Sequence, residues 1–233
     1  MRIQSAQPMH NGGWFHKLDA GAQKSISIKE PPHKPTINAT KLMFEYAGDT
    51  QEEKVCWFAS SLGVSCDSLR RLDCAWAAPH RAWAFAMKDG WGNTVGIRLR
   101  YESGKKLAVT GSRQGIFIPN MEPAASVLIC EGPTDLAAAL TLGYFAIARP
   151  SCMGGNDFVN TAIRRFDCRQ AIIVSDNDGP GIEGAKKLSQ ELRVQNCIVN
   201  PPAKDLREFI SFGGTKELLD SMLKSLVWRQ PKI

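Results

Sequence analysis

Three acidic residues stand where chemistry could happen. Glu131 follows the apolar run Ser126-Val127-Leu128-Ile129-Cys130 and is followed by Gly132-Pro133-Thr134-Asp135. Asp176 and Asp178 follow the apolar run Ala171-Ile172-Ile173-Val174, in Ser175-Asp176-Asn177-Asp178-Gly179. A third acidic segment, Lys204-Asp205-Leu206-Arg207-Glu208, comes after Pro201-Pro202. Carboxylates crowded together repel one another, which raises their pKa values unless a cation lies among them. Their hard oxygens suit Mg²⁺ or Mn²⁺. A pair of such ions roughly 3.5–4 Å apart can clamp the attacking and leaving oxygens of an in-line displacement at phosphorus. Asp-x-Asp-Gly also opens calcium loops, but the twelfth position counted from Asp176 is Lys187, where a calcium loop needs an acid. A lone Asp after a strand is commonly only a helix cap, and Asp135 is open to that reading.

These acids matter only if the chain brings them together. Short apolar runs alternate with helical patterns from residue 124 onward. Strands are expected at 126–130, 144–148, 171–174 and 197–199, and helices at 135–142, 158–166, 181–192, 206–210 and 216–226. Pro180 suits the first position of its helix. Strand–helix alternation predicts a parallel sheet, and ligands gather at the carboxyl ends of such strands. The acids lie at those ends.

Upstream the pattern differs. Thr50-Gln51-Glu52-Glu53 has the form of a capping box ahead of Val55, Trp57, Phe58 and Leu62. Ser65 can cap a second short helix through Leu72. Strands follow at 83–87, 94–101, 106–109 and 116–118, with turns at Asp89-Gly90 and Gly92-Asn93. The first 40 residues are polar and broken by Pro31, Pro32 and Pro35, as in an extended arm. Expected units are the arm over 1–40, a basic α+β subdomain over 41–120, and an α/β domain over 121–233.

Composition excludes several classes. Hydrophobic residues are 43% and charged residues 22% of the 233, ordinary for a globular chain. No apolar run is long enough to span a membrane, and no signal pattern opens the chain, so a cytoplasmic location is expected. The 7 cysteines are scattered, with no Cys-x-x-Cys pair. Neither a disulfide framework nor a zinc site is expected. The net charge of +6 favours a polyanionic partner.

At Leu128 to Asp135 and Val174 to Gly181 the sequence resembles the TOPRIM family, shared by bacterial-type primases, topoisomerases and small nucleases. The likeness covers roughly residues 124–226. Upstream, Ala82 to Asp89, Gly96 to Arg100 and Lys105 to Phe117 resemble the catalytic core of bacterial and phage DnaG-type primases. Arg149 to Gly155 resembles the loop after the second TOPRIM strand of the phage subgroup; backbone amides in such a glycine-rich loop can approach phosphate, and an ordinary turn is the alternative. The resemblance implies an α/β fold, TOPRIM-like with a Rossmann-like parallel sheet, preceded by a smaller α+β primase-type subdomain. It implies Glu131, Asp176 and Asp178 as catalytic metal ligands, with Asp205 helping to hold a second ion. It implies Arg98, Arg100, Lys106, Arg113 and Lys204 as contacts for template and nucleotide. Single-stranded DNA, nucleoside triphosphates and a separate replicative helicase are the implied partners, in a phage or mobile element.

Two departures stand out. Gly12 to Leu18, including His16, looks like a zinc ribbon without its cysteines. Some primases carry two acids one residue apart near Asp205, where this chain has Asp205 and Arg207. No Walker-type phosphate loop occurs, so no helicase motor is expected. Three activities stay open: a primase-like nucleotidyltransferase, a metal-dependent nuclease, and a non-catalytic nucleic-acid-binding replication accessory protein.

Overall fold

The computed structural model describes residues 36–231 and two short strands before them, β1 (Gln7–Pro8) and β2 (Trp14–Phe15). These two strands pair antiparallel within the unit Met1–Lys34. The rest of the expected arm, His16 included, lies outside the described residues. Everything below concerns the compact unit Pro35–Ile233. Among the described residues no helix is long and apolar enough to cross a membrane.

Three helices open this unit: α1 (Ala39–Gly48), α2 (Glu52–Leu62) and α3 (Cys66–Arg71). The first was not expected from the sequence. Asn38 caps α1 by accepting from the Lys41 N–H, and Ser65 caps α3 by accepting from the Ser68 N–H. The capping box expected at Thr50 does not form. Gln51 is the cap residue of α2 without a side-chain bond, because the Thr50 hydroxyl is committed elsewhere. It donates to the Tyr46 carbonyl and accepts from the Trp76 N–H. A disulfide joins Cys56 of α2 to Cys66 of α3, where free thiols were expected. Cys74, Cys130, Cys168 and Cys197 are free and buried.

An antiparallel sheet follows, in the order β3 (Ala75–Ala77), β4 (Ala82–Lys88), β5 (Thr94–Arg100), β6 (Lys106–Ala108). In β4 the small residues Ala82, Ala84 and Ala86 alternate with Trp83, Phe85 and Met87, and all six are buried. Alternate residues of a strand face opposite sides. The alanines face a core shared with Met43 and Tyr46 of α1. The large residues enter a second core, where Trp83 stacks on Phe58 of α2 at 4.3 Å between ring centroids.

The parallel sheet has the order β10 (Gln195–Val199), β9 (Gln170–Val174), β7 (Ser126–Glu131), β8 (Ala146–Arg149). Its helices are α4 (Pro133–Thr141), α5 (Asn156–Arg165), α6 (Gly179–Glu191), α7 (Leu206–Ser211) and α8 (Lys216–Lys224). Asp178 caps α6, so Pro180 takes its second position and not the first. One sheet face packs with Val159, Ile163, Ala185 and Leu188 of α5 and α6. The other face shares the Trp83 core with α4, α7 and α8. The segment 116–118, expected as a strand, makes two single bridges instead: Ile116 pairs with Lys88 and Phe117 with Ala148. It thereby ties the two sheets together.

The two-faced burial of β4 has a direct test. Trp83→Ala is expected to cost about 3–5 kcal/mol through the cavity it leaves. Ala84→Leu is expected to cost about 1–3 kcal/mol by pushing α1 away. Urea denaturation measures both, and an Ala84→Leu protein as stable as wild type would contradict the close seating of α1.

Candidate functional site

Each acid reaches the carboxyl edge of the parallel sheet for a local reason. Glu131 is the last residue of the central strand β7. Gly132 then turns the chain at φ +86°, a conformation open to glycine and strained for other residues. Its N–H donates to the Arg149 carbonyl at 2.9 Å. Helix α4 starts at once, which brings Asp135 into its buried first turn. Asp176 lies half-buried just past β9, and Asp178 accepts from the Gly181 N–H at 2.8 Å as the cap of α6. Past β10, Asp205 caps α7 by accepting from the Glu208 N–H at 2.7 Å. The Asn177 N–H donates to the Lys204 carbonyl at 2.8 Å and fastens the two acidic loops to each other.

The acids sense one another. Burial pushes the Asp176 carboxyl up to about 7, and the charges of Asp135, Glu131, Asp205 and Asp178 push the same way. Burial also raises Asp135 to about 7, and Asp205 adds to it. Glu131 is raised by burial and by Asp178, while Arg149, Lys106 and the Cys152 N–H pull it back. This is the signature of a carboxylate patch without enough positive charge inside it. Among the described residues, no three or more His, Cys, Asp or Glu side chains already stand as a metal cage.

Cations close the patch from the other side. Lys106 is on the exposed edge strand β6, and its Nζ lies 3.8 Å from where a side chain on Gly132 would begin. Its charge lowers the pKa of both Glu131 and Asp135. Arg100, half-buried on β5, lies near Asp135, Asp205 and Arg207. The other expected contacts differ. Arg98 donates to the Pro150 carbonyl at 2.9 Å and so fastens β5 to the loop after β8. Arg113 is exposed, with its backbone N–H donating to the Val95 carbonyl. Lys204 is exposed, and its backbone N–H donates to the Glu208 carboxylate at 2.6 Å.

Three residues of the patch were not among the site residues expected from the sequence. Asp135 is no cap, because Gly132 holds that position. Its spacing of four from Glu131, across a strand-to-helix turn, was the available signal. Arg149 ends β8 directly opposite Glu131 in register. Only the strand order reveals that neighbour. The Arg149 guanidinium is buried and donates from Nη1 to the Cys152 and Gly184 carbonyls and to Asn156 Oδ1. A side chain on Gly184 would begin 2.3 Å from the Cys152 oxygen, so glycine is required there. Arg207 pairs with Asp205 at 3.4 Å.

No family model matches the chain, and no curated protein matches it. Solved structures do. The E. coli primase catalytic core matches with TM-score 0.64 and 13% identity, over 82% of this chain and 79% of that one. A DnaG primase catalytic domain bound to single-stranded DNA matches with TM-score 0.60 and 13% identity, over 81% and 78%. This chain has the fold of a DnaG-type primase catalytic core. The primase fragment of the bacteriophage T7 primase-helicase protein shares it too, with TM-score 0.54 and 17% identity over 70% and 72%. In the present primase-core fold, the patch lies where the edge strand β6 meets the carboxyl ends of β7 and β9.

The raised carboxyls make stability depend on pH. Asp135 titrates at about 7 when folded, against about 3.9 when unfolded. A folded value above the unfolded one means that stability is full below about pH 4 and is lost as pH rises through 7. Asp135→Asn removes that loss. Without divalent ions, the variant should melt at least about 5 °C above wild type at pH 8. The gap should close as pH falls to 4. Equal melting temperatures at pH 8 would contradict the burial of an uncompensated carboxylate.

Proposed function

We propose that this protein is a primase-type nucleotidyltransferase. It joins nucleotides on a single-stranded DNA template by metal-dependent phosphoryl transfer. The observation that carries this reading is the crowding of Asp176 by Glu131 and Asp178 at the ends of neighbouring strands, with Lys106 beside Glu131 and Arg100 beside Asp135, in the fold of primase catalytic cores. The basic balance of the chain and the single-stranded DNA held by one structural neighbour support a nucleic-acid template. The T7 neighbour, part of a primase-helicase, supports a helicase as working partner.

The donor set fits Mg²⁺ or Mn²⁺. All three acids offer hard oxygen, and the carboxyls of Asp176 and Glu131 are raised as expected of a patch short of positive charge. Magnesium keeps several waters and is held by few carboxylates plus substrate phosphates, so an open arrangement is the expected one. Glu131, Asp176 and Asp178 would hold the ion. When bound, it supplies positive charge that offsets the charge developing on the reacting phosphate.

The remaining work falls to the chain. Lys106 and Arg100 hold phosphate oxygens of template or nucleotide and align the reacting groups. The 3′-hydroxyl oxygen of one nucleotide attacks the α-phosphorus of the next. The bond from that phosphorus to the β-phosphate breaks, and pyrophosphate leaves. The hydroxyl proton passes to solvent. The strand-end and cap positions of the acids, and a loop 150–155 tied to Arg98 and Arg149, keep the groups in register.

A priming assay tests the reading. Labelled nucleoside triphosphates, single-stranded DNA and Mg²⁺ or Mn²⁺ should yield short RNA, and Asp176→Ala should lower the yield by at least about a hundredfold. Shortening of the template without synthesis would point to a nuclease instead. Binding without synthesis or cleavage would point to an accessory factor. Template affinity should fall steeply from 50 to 200 mM salt, and Lys106→Ala should flatten that slope by about one unit on logarithmic axes. An unchanged slope would remove Lys106 from the template contact.

A further inference from the structure

The acidic patch is not uniform. At one end, Glu131 and Asp178 lie near solvent, with Asp178 exposed and Glu131 half-buried. At the other end stands Asp205, with its side chain only 12% exposed. Both of its oxygens are engaged. Oδ1 accepts the Glu208 N–H at 2.7 Å, and Oδ2 faces the Arg207 guanidinium at 3.4 Å. Asp135 beside it is buried and accepts the Arg207 backbone N–H at 3.3 Å.

Arg207 is not satisfied by this pairing. Its Nε is buried and has no hydrogen-bond partner. The side chain stays 32% exposed and lines an open cleft of about 430 Å³ between the end of α2 and α7. Arg100 comes close enough for the two guanidiniums to repel. Arg207 lines this cleft together with Glu208, while Arg100 lies outside its lining; the two neighbouring guanidiniums form a place for an anion. Guanidinium donors match phosphate oxygens in fork geometry. A divalent cation, by contrast, is disfavoured there, because both Asp205 oxygens are engaged and two guanidiniums stand beside it.

We propose that Arg207, with Arg100, binds the triphosphate of the incoming nucleotide, and that this protein therefore takes one divalent ion, at Glu131, Asp176 and Asp178, and none at Asp205. The inference rests on the nucleotidyltransferase reading and narrows it. Arg207 is a substrate-binding residue in this account, and Asp205 positions it.

Binding measurements test this without any synthesis. Inorganic tripolyphosphate serves as the anion probe and Mn²⁺ as the metal probe, both followed by calorimetry on the full chain. Wild type should bind one Mn²⁺ per chain. Arg207→Gln should weaken tripolyphosphate at least about tenfold, and Arg207→Lys should recover part of that loss. Asp205→Asn, which releases the guanidinium, should hold or tighten tripolyphosphate. Arg207→Asp should gain a second, weaker Mn²⁺. Each variant is first checked for wild-type melting behaviour, and Arg207→Lys stands in if Arg207→Gln unfolds. Two Mn²⁺ bound by wild type, or tripolyphosphate affinity indifferent to Arg207, would overturn the inference while leaving the metal site intact. No Mn²⁺ bound at all would instead sink the metal reading on which it rests. Loss of tripolyphosphate in Asp205→Asn equal to that in Arg207→Gln would reduce Arg207 to a structural partner.

Discussion

Helix α4 is wedged between the parallel sheet and helices α3 and α7, and most of the molecule depends on that burial. Pro133 to Leu140 are buried without exception, and Ala137, Ala138 and Ala139 show no exposed surface. Small side chains allow the helix to lie close to neighbours on every side. Leu136 belongs to the core that also holds Trp83 and Phe85 of the antiparallel sheet and Leu128 of the parallel one. Buried apolar surface of this extent is the dominant stabilising term in a fold of this size. Because α4 follows β7 after a single glycine, the same wedge fixes Glu131 at the strand end and Asp135 one turn beyond it.

That rigidity explains how a charged patch can persist. Acids that repel one another would move apart on a loose scaffold. Here each is tied to the backbone: Glu131 to a central strand, Asp135 to a buried helix, Asp178 and Asp205 to the caps of α6 and α7. The cap bonds fix their direction as well as their position. Burial raises the carboxyl pKa values, and repulsion adds to it, since the groups have no freedom to separate. The cations enter from elements far away in sequence, Lys106 from β6 and Arg149 from β8. Packing energy thus holds an electrostatic arrangement that local sequence alone would not keep.

Much of this was legible beforehand. The parallel strands read clearly because both their faces are covered, which leaves continuous apolar runs such as Val127 to Cys130 and Ala171 to Val174. The acids after those runs read as strand-end residues for the same reason. Other parts depend on tertiary contacts. Helix α1 has ordinary propensities and forms against the alanine face of β4. Thr50 looked like a cap because nothing local shows that Tyr46 and Trp76 claim its hydroxyl. The Cys56–Cys66 bridge needs the angle between α2 and α3. Arg149 became part of the patch only when β8 proved to be the neighbour of β7. Arg98 pointed to a phosphate by pattern, and it meets the Pro150 carbonyl.

The central claim is that the crowded carboxylates at the ends of β7 and β9 form a divalent-cation site. Anomalous scattering from crystals soaked in Mn²⁺ tests it most directly. The account predicts a peak about 2.1 Å from carboxylate oxygens of Asp176 and Glu131, with water completing the shell. A map with no peak at those acids, in crystals where Mn²⁺ binds elsewhere on the chain, would contradict it.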